Sequence, residues 1–200
     1  MDTKSIISEA VKVLREGGVI LYPTDTVWGI GCDATNEKAV ARVFGIKRRS
    51  EAKSLVLLAC DMDMVAMHVK QIPSIAIDLV EVNDAPMTII YPGAQYLAPN
   101  AVAADGTVGM RIPCCEPEQT PDDGGGAFCR ELVRRLRKPL VSTSANISGE
   151  PTPEDFNGIS PEIVSAVDYV VPRQYERGAT GRSSQIIKLG LGGEVEIIRA

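Results

Sequence analysis

Short β-type runs alternate with amphipathic helical stretches along this chain, and that alternation restricts its architecture more than any other feature. Ile6, Ile7, Ala10, Val11, Val13 and Leu14 recur near helical period until Gly17-Gly18, where a helix is expected to stop. Val19–Tyr22 reads as a strand that Pro23 ends. Asn36 is placed to cap a helix carrying Ala39, Val40, Val43 and Phe44. Leu55–Ala59 is apolar without interruption, the pattern of a strand covered on both faces. Helical stretches near Met62–Val69 and Pro73–Val82 follow, the second opened by its proline. Strands are expected at Met87–Tyr91 and Thr107–Ile112, a helix around Phe128–Leu136, and a strand at Leu140–Ser142. A short helix near Pro161–Val167 then precedes strands at Tyr169–Val171, Gln185–Leu189 and Glu194–Ile198. The polar stretch with Pro121, Asp122, Asp123 and Gly124–Gly126 reads as a flexible excursion. With no composition break and no internal repeat, the expectation is one α/β domain over residues 1–200, built on a mixed parallel and antiparallel sheet.

Composition narrows the function. Hydrophobic residues make up 44% and charged residues 24% of the 200, so a core can be buried. The formal charge of −5 argues against a protein coated in nucleic acid or held on an anionic membrane. A phosphate site must then be a local concentration of Lys and Arg. No apolar run approaches the roughly 18 residues of a membrane span, and the N-terminus reads as an amphipathic helix, not a signal peptide. Five cysteines without CxxC spacing suit reduced thiols and a cytoplasmic location. The single histidine, His68, leaves Ser-His and Cys-His pairs without a base, and no metal-ligating set is read from the chain. There is no Walker A loop, and Gly29-Ile-Gly31 lacks the third glycine of a dinucleotide fingerprint in register.

Four places concentrate the polar groups that chemistry needs. In Tyr22-Pro-Thr-Asp-Thr-Val-Trp-Gly-Ile-Gly-Cys-Asp33, a strand ends in Thr24, Asp25 and Thr26. Those groups can grip a small polar ligand or simply form a capping turn. Lys47-Arg48-Arg49, with Lys53 just beyond, ends a helix. Such cations complement the macrodipole or attract a polyphosphate, and an extended exit would aim Lys47 and Arg49 one way and Arg48 the other. Leu140–Gly149 releases Ser142, Thr143, Ser144, Asn146 and Ser148 from an apolar strand. Thr107 and Arg111, four apart on one strand, share a face, where the arginine needs an internal salt bridge or an anionic ligand. Arg134, Arg135, Arg137 and Lys138 read as a solvated helix end, with an RNA-contact patch as the lesser option.

Taken in order, these segments resemble the YrdC-like threonylcarbamoyl-AMP synthases. The stretch Tyr22–Ala34 is similar to that family's Tyr-Pro-Thr-Asp/Glu-Thr-Val-Tyr-Gly-Leu-Gly segment. Lys47-Arg48-Arg49 matches its Lys-x-Arg, and Ser144-Ala145-Asn146 its Ser-x-Asn. Thr107-Val-Gly-Met-Arg-Ile-Pro113 resembles its Thr-x-x-x-Arg-x-Pro strand, and Ser183-Ser184-Gln-Ile-Ile-Lys-Leu189 its closing strand. The resemblance runs from about Glu16 to the C-terminus. Three positions depart from the pattern: Trp28 replaces a Tyr, Leu58 a His found near threonine, and Pro92-Gly93-Ala94-Gln95 the usual Pro-Gly-Pro-x-Thr.

The resemblance implies a twisted mixed sheet around a large, positively lined cavity, in a single-domain form. It implies synthesis of threonylcarbamoyl-adenylate from L-threonine, bicarbonate or CO2, and ATP with Mg2+, releasing pyrophosphate. A partner threonylcarbamoyl-transferase would then modify adenosine 37 of tRNA, with tRNA itself bound at most weakly. Carried over by position, Thr26, Arg111 and Ser142 would hold threonine. Lys47, Arg49, Lys53, Thr107, Ser144, Asn146, Thr152 and Ser183 would hold ATP, with Lys47 and Arg49 as catalytic cations. Competing readings are an RNA-binding module of the same fold, a carbamoyl-adenylate-forming relative and an inactive paralogue.

Overall fold

Local signals set the helices. The computed structural model describes residues 2–50 and 55–200. Helix α1 (Thr3–Arg15) starts where the Asp2 carboxylate accepts the Ser5 amide, and it buries Ile6, Ile7, Ala10, Val11 and Leu14. Helix α2 (Glu37–Ile46) is capped by the Asn36 side chain, as its sequence predicts, and buries Ala39, Val40, Val43 and Phe44. Four further helices follow: α3 (Met62–His68), α4 (Ile75–Val82), α5 (Gly125–Leu136) and α6 (Pro161–Ala166).

The strands are β1 (Ile20–Tyr22), β2 (Gly29–Gly31), β3 (Val56–Leu58), β4 (Met87–Tyr91), β5 (Val108–Arg111), β6 (Leu140–Ser144), β7 (Tyr169–Val170), β8 (Gln185–Leu189) and β9 (Val195–Arg199). They form one sheet in the order β7-β1-β2-β6-β3-β5-β4-β8-β9. The pairs β1–β7, β3–β5 and β4–β8 are parallel and the remaining pairs antiparallel, so the mixed α/β sheet expected from the sequence is present. One face carries Ile30, Leu57, Ile89, Tyr91, Val108, Met110, Val141, Ile187 and Leu189, all buried in the hydrophobic core.

Two expectations need correction. Gly29–Gly31, where the sequence predicts no strand, is a strand paired with β1 and β6. A Cβ on Gly31 would lie 2.3 Å from the Val141 carbonyl oxygen and 2.8 Å from the Tyr22 ring. Glycine is therefore demanded by packing inside the sheet, where strand propensity reads it as a break. Gly125 and Gly126 likewise belong to no flexible excursion; they are buried in the first turn of α5. A Cβ on Gly125 would sit 2.4 Å from the Thr24 carbonyl oxygen, and one on Gly126 1.9 Å from that of Cys114. Their role is to let a helix start against the backbone that follows β1 and β5.

The steric term outweighs helix propensity here. Alanine gains about 1 kcal/mol over glycine inside a helix, whereas overpacking typically costs about 1–3 kcal/mol and sometimes more. Gly126→Ala should therefore lower unfolding stability by about 1–2 kcal/mol in guanidinium titration. A neutral or stabilising effect would show that the contact yields easily.

Candidate active site

The sheet face opposite the core is kept open by small residues. Gly29 on β2, Gly109 on β5, and Ser142 and Ser144 on β6 line a cavity of about 240 Å³. Register brings them side by side: Val56 lies opposite both Gly109 and Ser142, and Gly29 opposite Ser144. Strand alternation supplies the rest of the wall, with Thr107, Gly109 and Arg111 from β5 and its entry, Thr88 and Ile90 from β4, and Ser184 and Ile186 at β8. Among the described residues, Arg49 and Arg199 complete a lining with three arginines and no carboxylate, in a chain whose formal charge is −5. Burial lowers the pKa of both Arg49 and Arg199, so an entering anion would relieve the cost of holding their charge.

Arg111 is anchored from behind. Its guanidinium Nη1 donates to Asp25 Oδ1 in a pair about 95% buried on each side, so the salt bridge that the sequence left as one alternative exists. Asp25 Oδ2 accepts the Cys114 amide at 2.9 Å. The neighbouring hydroxyls of Thr24 and Thr26 are hydrogen-bonded to one another. Thr24 Oγ1 donates to the Val27 carbonyl at 2.7 Å and lies 2.8 Å from Thr26 Oγ1. Thr24 Oγ1 also accepts the Thr26 and Val27 amides, and Thr26 Oγ1 accepts from Arg111 Nη2 at 3.5 Å at the edge of the cavity.

Lys47 and Arg49 do not share a direction. No extended exit follows α2; the chain turns in a Schellman motif, with the Arg49 amide donating to Phe44 and the Arg48 amide to Gly45. Arg48 sits in the left-handed region at φ 49°, and its side chain pairs with exposed Glu162. Arg49 reaches the cavity wall. Lys47 is 2% exposed and lies outside that wall. Its Nζ donates to the carbonyls of Ser144 and Asn146 and, at 3.4 Å, to Asn146 Oδ1. The Asn146 amide braces the same loop by donating to Ile147 and Glu150 carbonyls, while its oxygen accepts from Ser144 Oγ. Lys-x-Arg and Ser-x-Asn thus meet, with Lys47 gripping the loop that presents Ser144.

Of the residues singled out from the sequence, Thr26, Arg49, Thr107, Arg111, Ser142, Ser144 and Ser183 line the cavity. Lys47 and Asn146 stand behind it, Thr152 is exposed on a loop and is not among the lining residues, and Lys53 lies outside the described residues. Sequence reasoning missed Thr88, Ser184 and Arg199. Thr88 is hydrogen-bonded to Ser184 at 2.8 Å, and Arg199 donates to the Ser184 carbonyl through two nitrogens. A lone Thr on the inward register of an otherwise apolar strand was the available signal. Leu58 is fully buried opposite Arg111 on β3. Trp28 has a partner of its own: its indole N–H donates to Glu176 at 2.7 Å, and its ring packs against Phe156 with centroids 5.0 Å apart.

The other candidates resolve away from this cavity. His68 is buried beside the Gln95 carbonyl. Arg134 and Arg135 pair with Glu131, and Lys138 with Asp33, so three of the four cations in that run have an acidic partner. Among the described residues, no group of three or more His, Cys, Asp or Glu side chains is placed to hold a metal ion, and no helix is long and apolar enough to cross a membrane.

Lys47 gives a pH test. Burial, with Arg49 adding to it, lowers its pKa from the ordinary 10.5 to about 8. Between those values the unfolded chain keeps a proton that the folded protein releases, so this group makes stability rise with pH across that window. The stability difference between wild type and Lys47→Met should therefore shift in favour of the wild type as pH is raised through it. A difference that is flat, or shifts the other way, contradicts a buried ammonium.

Comparison with known proteins agrees with this geometry. The family model described as "Telomere recombination", for the Sua5, YciO and YrdC proteins, matches residues 12–200. A threonylcarbamoyl-AMP synthase of Xanthomonas euvesicatoria is 34% identical over 185 residues, covering 90% of this chain and 91% of the relative. One from Stenotrophomonas maltophilia is 32% identical over 190 residues, covering 90% and 89%. Among solved structures, P. abyssi Sua5 complexed with L-threonine superposes with a TM-score of 0.77 at 25% identity, over 94% of this chain and 52% of that one. E. coli YciO gives 0.75 at 22% identity, over 99% and 89%, and shows the shared fold. The chain belongs to the Sua5/YciO/YrdC family.

Proposed function

We propose that this protein is an L-threonylcarbamoyladenylate synthase, a nucleotidyltransferase that joins L-threonine, bicarbonate or CO2, and ATP and releases pyrophosphate. The observation that carries this reading is the cavity: hydroxyls and three arginines, with neither a carboxylate nor a histidine in its wall among the described residues, in a chain 34% identical to a protein of that name. Threonine's amine captures CO2 as a carbamate, whose oxygen attacks the α-phosphorus while pyrophosphate leaves. That chemistry needs no protein nucleophile; it needs two anions aligned and the triphosphate charge neutralised.

Arg111 would take the threonine carboxylate, Thr26 would accept a hydrogen bond from its amine or hydroxyl, and Ser142 would close that end. Arg49, Thr107, Ser144 and Ser183 would face ATP, with Arg199 at the same wall. Lys53, Asn146 and Thr152 remain assigned to the nucleotide by resemblance, and Lys47 would act by holding the Ser144–Asn146 loop. Mg2+ would arrive on the triphosphate as part of the substrate. The product would pass to a threonylcarbamoyl-transferase acting on tRNA in the cytoplasm. The paired state of Arg134, Arg135 and Lys138 supports only weak tRNA affinity.

Pyrophosphate release from ATP should require threonine and bicarbonate together. Equal turnover with serine, glycine or no amino acid would remove the threonine assignment. Arg49→Ala should cut turnover roughly ten- to a hundredfold, the scale of one lost charge-assisted contact of about 1.5–3 kcal/mol. Arg48→Ala, which loses only an exposed pair with Glu162, should stay within about twofold.

A further inference from the structure

Asp25 stands in the middle of the segment that resembles the synthases, yet it is absent from the cavity wall. Both of its carboxylate oxygens are committed, one to Arg111 and one to the Cys114 amide, and the residue is 4% exposed. We infer that Asp25 is a positioning residue for threonine: it binds no substrate, but fixes the Arg111 guanidinium so that its remaining N–H groups face the threonine subsite. This assignment rests on the proposed function above.

Three features support it. Arg111 ends its strand, and the only acid paired with it among the described residues is Asp25. Asp25 is itself held at both ends: its side chain by the Cys114 amide, three residues past β5, and its backbone carbonyl by the Thr180 amide at 2.9 Å. The next carbonyl, that of Thr26, accepts the Gly181 amide at 2.9 Å, which ties the segment leading to Ser183 to the same loop. An asparagine has one acceptor oxygen where Asp25 uses two. Asp25→Asn must therefore release either Arg111 or the Cys114 amide.

A double-mutant cycle separates positioning from general damage. Kinetics of pyrophosphate release are compared for wild type, Asp25→Asn, Arg111→Gln and the double variant, with threonine titrated into each protein while the single tryptophan, Trp28, reports binding by fluorescence. Asp25→Asn should raise the KM for threonine tenfold or more and leave the KM for ATP within about twofold. In the Arg111→Gln background the same substitution should change the KM for threonine less than twofold, because Asp25 acts only through Arg111. The double variant carries no uncompensated buried charge but each single variant does, so the kinetics are compared at a temperature where circular dichroism shows all four proteins folded. Parallel losses for threonine and ATP, or effects that add in the double variant, overturn the assignment while leaving the proposed function intact. A wild type that needs no threonine overturns both.

Discussion

The buried ion pair between Asp25 and Arg111 is the interaction on which the rest of the site depends. It joins the loop after β1 to the end of β5, and through the Cys114 amide it also fixes the chain leaving β5. Gly125 and Gly126 exist where they do because α5 must begin against those same two backbones. The pair is a poor source of net stability, since desolvating two charges offsets most of their attraction. Its value lies in orientation: an arginine at the floor of a cavity is useful to a carboxylate ligand only if its own conformation is settled beforehand.

The cavity exists through omission of side chains. A nine-strand sheet with one face in the core would ordinarily bury or solvate its other face. Here glycines and serines on the central strands leave space, and arginines from a helix exit, a central strand and an edge strand surround it. An acidic protein thereby holds a local positive site, with electrostatic attraction confined to the place where two anions must meet. Lys47 contributes one layer back, where a buried ammonium organises carbonyl groups that would otherwise be free to turn.

Much of this was legible in the sequence because it rests on local rules. The Asn36 cap, the helical period of α1 and α2, and the apolar strands β3, β4 and β8 follow from propensity and patterning. The shared face of Thr107 and Arg111 followed from strand alternation, and both reach the cavity. What escaped was set by contacts between distant segments. Gly29–Gly31 was illegible as a strand because its glycines answer to Tyr22 and Val141. The direction of Lys47 escaped because the turn at Arg48 is left-handed, a conformation that an Arg does not advertise. Arg199 escaped because its place beside Ser184 depends on the pairing of β8 with β9.

The central claim is that the small-residue face of the sheet holds threonine with its carboxylate on a preset Arg111. The most direct measurement is a crystal structure of the protein soaked with L-threonine. The account predicts density between β2, β5 and β6, with the carboxylate within hydrogen-bond distance of Arg111, Thr26 adjacent, and the Asp25–Arg111 pair unbroken. Threonine bound elsewhere, or an Arg111 that has left Asp25 to reach it, would contradict the account.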